Sequence, residues 1–493
     1  MKKLLAVLLA VAMMLCICAC APEDTEATGG DTSLELVDTG TGFRVGYARV
    51  DITPEVPMPL SGYGNNQFRV SQQVLDPLYI TCVAVTDEQD NTIMMFSIDL
   101  QRSREETWGP AREKLSALTG IPVEHITLTA THTHSAVDQG AGNNDNVARW
   151  EEELVEWSVQ CGIQALNDRK SATMQIGSVE TEGLNFIRHY TTLSGGYVGD
   201  SFGSWTESPL TGHTTENDPT MHIIRFVRPD AKDIVMANWR AHPGMTGGKD
   251  IKNMSSDFVG PFREAVEAAD PDALVVFYQG AAGNVNPTSH IQGETAATGV
   301  TLYEKYRDHG TKLAKHCLDG LANNMVEVET GLVQAQRRIV AGEVNHELED
   351  KILEARMVQQ HYSTYRDNNL TREYAAQFGI RTPYHANAII SRSSMGATKD
   401  MELNALSIGE HVGFVQCPFE MFTSTSVETE EGSAFDMNFV MGYSNSQNCY
   451  IPDDWAWEYT CYESDTTWYV KGTSNMIRDQ WLSMLDELHG KVE

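Results

Sequence analysis

The sequence predicts an α/β fold, with a mixed β-sheet core flanked by helices in a single large domain whose polar sites lie at strand ends. Short apolar, β-branched segments recur along the chain and are interleaved with segments of helical periodicity. Several of these apolar segments run directly into a turn that contains a His, Glu, Asn or Tyr. The interleaving of strands and helices indicates the fold class, and the polar turns indicate where the candidate functional residues lie.

The individual elements follow from hydrophobic periodicity. Apolar runs predict strands at 79–85, 92–100, 125–131, 221–227, 233–239, 274–279, 403–408 and 412–416. Apolar residues at helical spacing predict helices at 109–118, 147–166, 257–269, 303–322, 348–366 and 477–489. The segment 348–366 is rich in Glu, Arg and Gln, so we expect a solvated helix or an excursion from the core.

The first residues of the 493-residue chain resemble a targeting signal. Lys2 and Lys3 precede an apolar run at 4–15, and small residues precede Cys20. This pattern predicts a lipoprotein signal peptide at 1–19, with the lipid on Cys20; an ordinary cleaved signal without lipid is the alternative. The run is shorter than the roughly 20 residues that span a bilayer. The protein is therefore expected to be extracytoplasmic and anchored to a bacterial cell membrane through this lipid only.

Residues 20–42 are acidic and rich in Gly and Thr, which predicts a flexible tether. No comparable linker follows, so 43–493 is predicted to be one functional domain. The formal net charge of −32 disfavours binding to phosphate backbones, so no nucleic-acid partner is expected. The sequence leaves the oligomeric state open. It also leaves open whether Cys449 and Cys461 form a disulfide or remain free thiols.

The segment 131–135, Thr-His-Thr-His-Ser, closes the predicted strand 125–131. Residues two apart in a strand point to the same side, so His132 and His134 are expected to project together. Two adjacent imidazoles suit a metal ligand beside an acid, base or electrophile. Two surface histidines in a polar turn are the alternative.

Other strand ends offer residues of the same chemistry. His242 precedes a Pro-Gly turn, and Glu420 follows Cys417-Pro418; a capping histidine and a solvated carboxylate are the alternatives. Small residues at 280–287 allow the backbone to approach a ligand closely. Tyr450 and Tyr462 lie in an aromatic loop that is also typical of a lid. Asp257 is expected to be a helix N-cap or to support a ligand, rather than to act as a base.

In their order along the chain these segments resemble the neutral/alkaline (non-lysosomal) ceramidase family, specifically its zinc-dependent N-terminal catalytic domain. The resemblance extends through 46–54, 131–135, 241–243, 255–260, 280–287, 418–420 and 450–463. It implies a Zn2+ cofactor bound by His132, His242, Glu420 and Tyr450. It also implies that His134 faces the scissile carbonyl, that Tyr462 faces the substrate, and that Arg188 is an active-site arginine.

The sequence departs from the family in the motif G-D-x-S-P-N. Here Asn284 replaces the aspartate, and Asn286 replaces the serine assigned to the ceramidase site. Asparagine forms hydrogen bonds but is not a nucleophile, so attack by zinc-activated water remains and Asn286 is expected to orient substrate or water. The chain is also expected to lack the family's C-terminal immunoglobulin-like domain. Ceramide as the substrate, and with it a role in sphingolipid metabolism, therefore stays open.

The function expected from these residues is a zinc-dependent hydrolase of the neutral ceramidase type, cleaving an amide (N-acyl) bond in a small-molecule or lipid substrate. One alternative is a zinc hydrolase of another ester or amide. A second is a catalytically degenerate, solute-binding surface lipoprotein, for which a complete metal-ligand set would be unnecessary.

Overall fold

The computed structural model describes residues 35–63, 69–141, 144–199, 208–248, 250–291, 293–294, 299, 301–446, 449–459 and 461–491. The predicted signal peptide, Cys20 and most of the tether lie outside the described residues. From Leu36 onward the chain forms one compact unit. No helix in the described ranges has both the length and the apolar character needed to cross a bilayer.

Three mixed β-sheets build this unit, and the strands of each follow in spatial order. The first sheet contains Ile126–Ala130, Thr92–Ile98, Tyr79–Thr86, Arg44–Asp51 and Lys170–Ser171. The second contains Ala273–Gln279, Asp233–Trp239, Thr220–Val227, Thr173–Glu180 and Val326–Val328. The third contains Val333–Glu343, Thr398–Ile408, Val412–Gln416 and Met437–Met441.

Each sheet is antiparallel except for one parallel pair at its edge. In the first sheet Thr92–Ile98 pairs in parallel with Ile126–Ala130. Asp233–Trp239 and Ala273–Gln279 form the parallel pair of the second sheet. In the third sheet Val412–Gln416 and Met437–Met441 run in parallel. The segments that follow these parallel strands form the candidate site described below.

Shorter strands complete the framework as three two-residue ladders and one small antiparallel sheet. They are Gln73–Val74, Phe186–Ile187, His189–Thr192, Tyr197–Gly199, Leu210–His213, Asn253–Met254, Val285–Asn286, Glu420–Met421 and Tyr450–Ile451. Two of these ladders, Val285–Asn286 with Phe186–Ile187 and Glu420–Met421 with Tyr450–Ile451, lie within the candidate site.

The three sheets share a central apolar core, with helices on their outer faces. Residues such as Val83, Met236 and Phe414, one from each sheet, belong to that shared cluster. The described α-helices are Glu105–Thr119, Asp145–Asn167, Val259–Ala269, Leu302–Asn323, Ile352–Tyr365, Asn368–Ala376, Pro383–Arg392, Thr423–Gly432, Tyr462–Thr466 and Thr473–His489. The first two helices cover the first sheet, the next two cover the second, and Thr473–His489 covers the third.

The predicted α/β class is confirmed, and each predicted strand and helix is present. The strands 233–239 and 412–416 have the predicted bounds, and the other predicted elements have shifted ends. The strand Arg44–Asp51 was missed because Gly46 interrupts its apolar pattern. That glycine is required, because a Cβ at this position would lie 2.0 Å from the carbonyl oxygen of Ala165 in the covering helix.

The predicted segment 348–366 is an excursion. Its helix, Ile352–Tyr365, packs with the two following helices around a small cluster of their own that includes Val358 and Ile389. Leu353 on its outer side is 75% exposed.

The disulfide hypothesised between Cys449 and Cys461 is wrong. Both are buried free thiols, as are the other four cysteines of the described residues. Cys461 caps the helix Tyr462–Thr466, where its sulfur accepts a hydrogen bond from the Ser464 amide at 3.5 Å. Cys449 lies 4.0 Å from the Thr467 hydroxyl instead.

Candidate metal centre

The carboxyl ends of the parallel strands from all three sheets meet at one place. Backbone hydrogen bonds at the strand ends and in the segments that follow them join each sheet to the other two. They run from His134 N to Pro243 O (2.9 Å), from Gly283 N to Met421 O (2.7 Å) and from Ala130 N to Tyr443 O (3.1 Å). The polar residues beyond the strand ends are thereby brought to a common point.

The first sheet contributes His132 and His134. The strand ends at Ala130, one residue earlier than expected, and His132 adopts a left-handed conformation with φ of 69°. A non-glycine residue rarely adopts this conformation unless its surroundings stabilise it. Here the His132 amide donates to Leu100 O at 2.9 Å, and its ring packs on Tyr443 with centroids 4.1 Å apart. This turn, rather than strand alternation, sets the relative placement of the two imidazoles.

The second sheet contributes His242. This residue lies three positions beyond the end of the strand Asp233–Trp239 and two beyond Arg240. Its amide donates to Val285 O at 2.9 Å, and its Nδ1 lies 2.8 Å from Ala282 O. The small residues in this loop have a packing reason. A Cβ at Gly283 would lie 2.5 Å from the carbonyl oxygen of Glu420, so only glycine allows the two loops to touch.

The third sheet contributes Glu420 and Tyr450. They are direct partners in the parallel ladder between Glu420–Met421 and Tyr450–Ile451. Residues that face each other across a ladder project side by side. Both side chains are buried, with 5% and 7% of the residue surface exposed.

These side chains form a compact cluster. Glu420 Oε2 lies 3.2 Å from His132 Nε2 and 3.2 Å from His242 Nε2. His134 Nε2 lies 3.1 Å from His132 Nε2. The hydroxyl of Tyr450 lies 3.4 Å from His242 Nε2. The structure therefore brings together His134 and the four residues that the resemblance implies as zinc ligands, and the three histidines place their ligand atoms within 4.8 Å of one another.

The donor set fits a metal ion. His132 Nδ1 lies 2.6 Å from Gln101 O, and His242 Nδ1 lies 2.8 Å from Ala282 O. A backbone carbonyl only accepts, so both Nδ1 atoms hold a proton, and both Nε2 atoms point into the cluster. Carbonyl support of this kind behind an imidazole is typical of metal ligands. Two imidazoles, a carboxylate and a phenol are ligands that Zn2+ accepts.

The electrostatics of the cluster support the same use. Burial, together with the positive charge of Arg188, lowers the pKa of His242 to about 4. Burial and His132 lower the pKa of His134 well below its usual value, so both rings are neutral at neutral pH. Burial acts to raise the pKa of Glu420, but His132 and His242 hold it well below its usual value, so this group is a carboxylate. Burial raises the pKa of Tyr450, which remains a phenol until a cation acidifies it.

Arg188 lies against this cluster and is held by a carboxylate that the sequence reasoning gave no role. Its Nη1 lies 3.5 Å from His242 Nε2, and its guanidinium lies 5.5 Å from the centre of the Tyr450 ring. On its other side, Nε and Nη2 donate to Glu463 Oε1 at 2.8 and 2.5 Å. Burial acts to raise the pKa of Glu463, but Arg188 and His189 hold it at about 2. The sequence signal was the position of Glu463 directly after Tyr462.

Tyr462 and Asn286 border the cluster. The Tyr462 ring is partly exposed and lies 5.4 Å from the Tyr450 ring at 72°. Asn286 is partly buried in the short ladder with Phe186, two residues before Arg188. Asn284 is fully buried, and its side-chain oxygen accepts from the Thr423 amide at 3.0 Å. Asn284 therefore has a structural contact that fixes the loop beside Glu420.

Tyr63 was also missed by the sequence reasoning. Its hydroxyl donates to Gly244 O at 2.7 Å, and its ring meets the His134 ring edge-on at 5.4 Å. A Cβ at the neighbouring Gly62 would lie 2.5 Å from the Cβ of His134. The adjacent Gly62 and Tyr63 were the only signal in the sequence. The fold alone shows that they contact His134.

Asp257 supports a loop rather than capping a helix. The helix Val259–Ala269 is capped by Phe258 without a side-chain hydrogen bond, so the N-cap prediction is wrong. Asp257 Oδ2 accepts from the amide and the hydroxyl of Thr246 at 2.6 and 2.7 Å. This contact holds the turn that follows His242.

The fold and the site thus define a mixed-sheet α/β protein with a histidine, carboxylate and tyrosine cluster able to hold a metal ion. Its architecture is that of the neutral ceramidases. The neutral ceramidase from Pseudomonas aeruginosa superposes with a TM-score of 0.69 and 15% identity, covering 92% of this chain and 75% of that one. A ceramidase complexed with C2 gives a TM-score of 0.68 and 16% identity, with 92% and 76% covered.

No protein-family model and no curated protein sequence matches the chain significantly. The structural likeness therefore confirms, at the level of the fold, the resemblance that the sequence predicted. The roles of the individual residues stay predictions.

Proposed function

We propose that the protein is a zinc-dependent hydrolase of the neutral ceramidase type that cleaves an amide (N-acyl) bond. The observation that supports this most strongly is the convergence of His132, His242, Glu420 and Tyr450 within a ceramidase fold. These four residues come from three different sheets, and a fold without a bound cation has no need to bury them together.

In this proposal His132, His242, Glu420 and Tyr450 hold Zn2+. A bound Zn2+ supplies a Lewis acid and makes water acidic enough to act as a nucleophile near neutral pH. His242 is neutral and Glu420 is a carboxylate, so these two groups are already in the protonation states that metal binding requires.

His134, Tyr462 and Arg188 act on the substrate. His134 is partly exposed, so its neutral ring can exchange a proton with substrate at Nε2. Tyr462 can donate its phenolic proton to a developing oxyanion, and Arg188 supplies a fixed positive charge beside Tyr450. An oxyanion donor of this kind contributes about 3 kcal/mol to transition-state stabilisation.

Asn286 limits the reaction to direct attack by water. Its amide cannot form an acyl-enzyme, whereas it can orient water or substrate through hydrogen bonds. We therefore propose hydrolysis by direct attack of water without an acyl-enzyme, with a lipid N-acyl compound as the first substrate to test. We also propose that the enzyme acts outside the cytoplasm, anchored through Cys20, since Lys2, Lys3 and the apolar run precede that cysteine.

Metal analysis combined with a substrate screen tests the function. Purified protein should contain one zinc per chain and hydrolyse N-acyl lipids, and a chelator should abolish the activity reversibly. Hydrolysis confined to esters or to water-soluble amides would instead favour the alternative zinc hydrolase. Binding of a solute without turnover of any substrate in the screen would favour the solute-binding protein.

Two buried histidines offer a matched comparison. His242→Ala should abolish both stoichiometric zinc and hydrolysis. His309 is fully buried on the helix Leu302–Asn323, against Trp239 and Phe258, outside the cluster. His309→Ala should lose stability but retain zinc. Equal zinc content in the two folded variants would reject the site.

A further inference from the structure

Glu463 is the buried carboxylate that faces Arg188 from the side opposite the metal cluster. It is 1% exposed and accepts both hydrogen bonds that Arg188 makes through Nε and Nη2 on the same oxygen, Oε1. The third nitrogen of the guanidinium, Nη1, is left to face His242. Because the guanidinium is planar, fixing two of its nitrogens also fixes the direction of the third.

The other oxygen of Glu463 lies beside a buried imidazole. His189 Nε2 lies 3.0 Å from Glu463 Oε2, and the Tyr459 hydroxyl pairs with His189 Nδ1. The His189 ring is fully buried, and it lies edge-on to Phe422 and Trp455 at 5.6 and 5.7 Å. A chain of contacts therefore runs from Tyr459 through His189 and Glu463 to Arg188.

The group of His189, Cys461 and Glu463 also has the composition of a cation site. Two contacts argue against that use. The Cys461 sulfur caps a helix by accepting from Ser464, and burial raises the pKa of this thiol, so it is not a thiolate. Glu463 is already neutralised by the guanidinium. The group is therefore better suited to hold Arg188 than to hold an ion.

Glu463 also offsets an electrostatic conflict. Arg188 is a buried cation whose Nη1 lies 3.5 Å from His242, a proposed zinc ligand. Burying a cation without a counter-ion is costly, and the Glu463 carboxylate on the far side of the guanidinium offsets that cost. Without it, the arginine would be expected to swing away from the cluster on its flexible side chain.

We propose that Glu463 is a positioning residue that fixes Arg188 against His242 and Tyr450, and that His189 holds Glu463 in place. This inference rests on the proposed hydrolase function. Because Glu463 directly follows Tyr462, the start of one short helix supplies both a substrate-facing phenol and the anchor of the active-site arginine.

Glu463→Gln tests the proposal because it keeps the shape and removes the charge. The zinc-loaded variant should retain one zinc per chain and a nearly unchanged KM for an N-acyl lipid, while kcat falls about 10- to 100-fold, as for other residues that support a site from behind. Glu267→Gln is the matched control. Glu267 accepts from Arg49 at 2.7 and 3.2 Å at the opposite end of the strand Ala273–Gln279, so kcat should stay at the wild-type value.

A second measurement is independent of turnover and of metal. In protein labelled with 15N-arginine, the Arg188 Nε–H should give a slowly exchanging NMR signal, assigned by its loss in Arg188→Lys. Glu463→Gln should speed its exchange with solvent at least tenfold. His189→Leu should likewise speed the exchange of the Arg188 Nε–H and lower kcat. This variant keeps the test usable if Glu463→Gln fails to fold.

The outcomes separate the two claims. A wild-type kcat, or an unchanged Arg188 signal, in a folded Glu463→Gln variant overturns the positioning role. If the wild-type protein hydrolyses none of the substrates, the proposed function fails, and the NMR measurement alone then decides whether Glu463 fixes Arg188.

Discussion

Removing Asp99 should destabilise the protein strongly, because this carboxylate joins the first sheet to a helix of the second. It lies just beyond the strand Thr92–Ile98, with its side chain fully buried. Arg263, on the helix Val259–Ala269, donates to its two oxygens at 3.0 and 2.6 Å. The Thr131 hydroxyl, next to His132, also reaches Asp99, at 3.3 Å.

The expected magnitude follows from burial. Asp99→Leu leaves the Arg263 guanidinium, whose side chain is 6% exposed, without its anion, and breaking a buried ion pair in this way costs about 3–5 kcal/mol. Asp99→Leu combined with Arg263→Met removes both charges and should recover most of the loss. Recovery is incomplete because the Tyr79 amide, which donates to Asp99 at 3.0 Å, loses its acceptor. That loss costs about 1–3 kcal/mol of stability.

Asp99→Leu, Arg263→Met and the double variant form a double-mutant cycle with the wild type. Unfolding in guanidinium chloride gives the free energy of unfolding of each. Glu156→Gln is the control, because its pair with Lys114 is solvent-exposed and should contribute less than about 1 kcal/mol. A loss of less than about 1 kcal/mol of unfolding free energy in each single variant would refute a buried ion pair that joins the two sheets. A loss in the double variant equal to the sum of the two single losses would refute it as well.

Three further outcomes are expected. Burial lowers the pKa of His309 from 6.5 to about 4, so between these values the unfolded chain binds a proton that the folded chain does not. Metal-free wild-type protein should therefore lose about 3 kcal/mol of unfolding free energy relative to His309→Phe when the pH falls from 7 to 4, as measured by denaturant unfolding. A difference between the two proteins that does not change with pH would contradict the assignment. Gly62→Ala places a Cβ 2.5 Å from that of His134 at a φ of 109°, so hydrolysis should fall at least tenfold while zinc, measured by mass spectrometry, is retained. Cys20→Ala should move the protein from the detergent phase to the aqueous phase, and unchanged partitioning would exclude the lipid anchor.

Much of the site was accessible from residue chemistry at strand ends. His132, His242 and Glu420 each follow an apolar run into a turn, and the parallel arrangement that brings such ends together is a general property of α/β folds. The family resemblance added Tyr450 and Arg188, which have no distinctive local pattern. Glu463, His189 and Tyr63 were not assigned roles, because a buried salt bridge or ring contact between distant segments has no periodic signal in the sequence.

The sequence by itself determined the α/β class, eight of the strands, the helices that cover the sheets, and the residue types of the candidate metal centre, since periodicity and side-chain chemistry are local properties. It did not predict the strands Thr173–Glu180, Val333–Glu343 and Met437–Met441. The tertiary structure alone decided that three separate sheets place their parallel strand ends together, that His132 turns through a left-handed conformation, and that Cys449 and Cys461 remain apart as thiols. These features depend on contacts between residues up to about three hundred positions apart, where packing and backbone hydrogen bonds rather than local preference set the geometry.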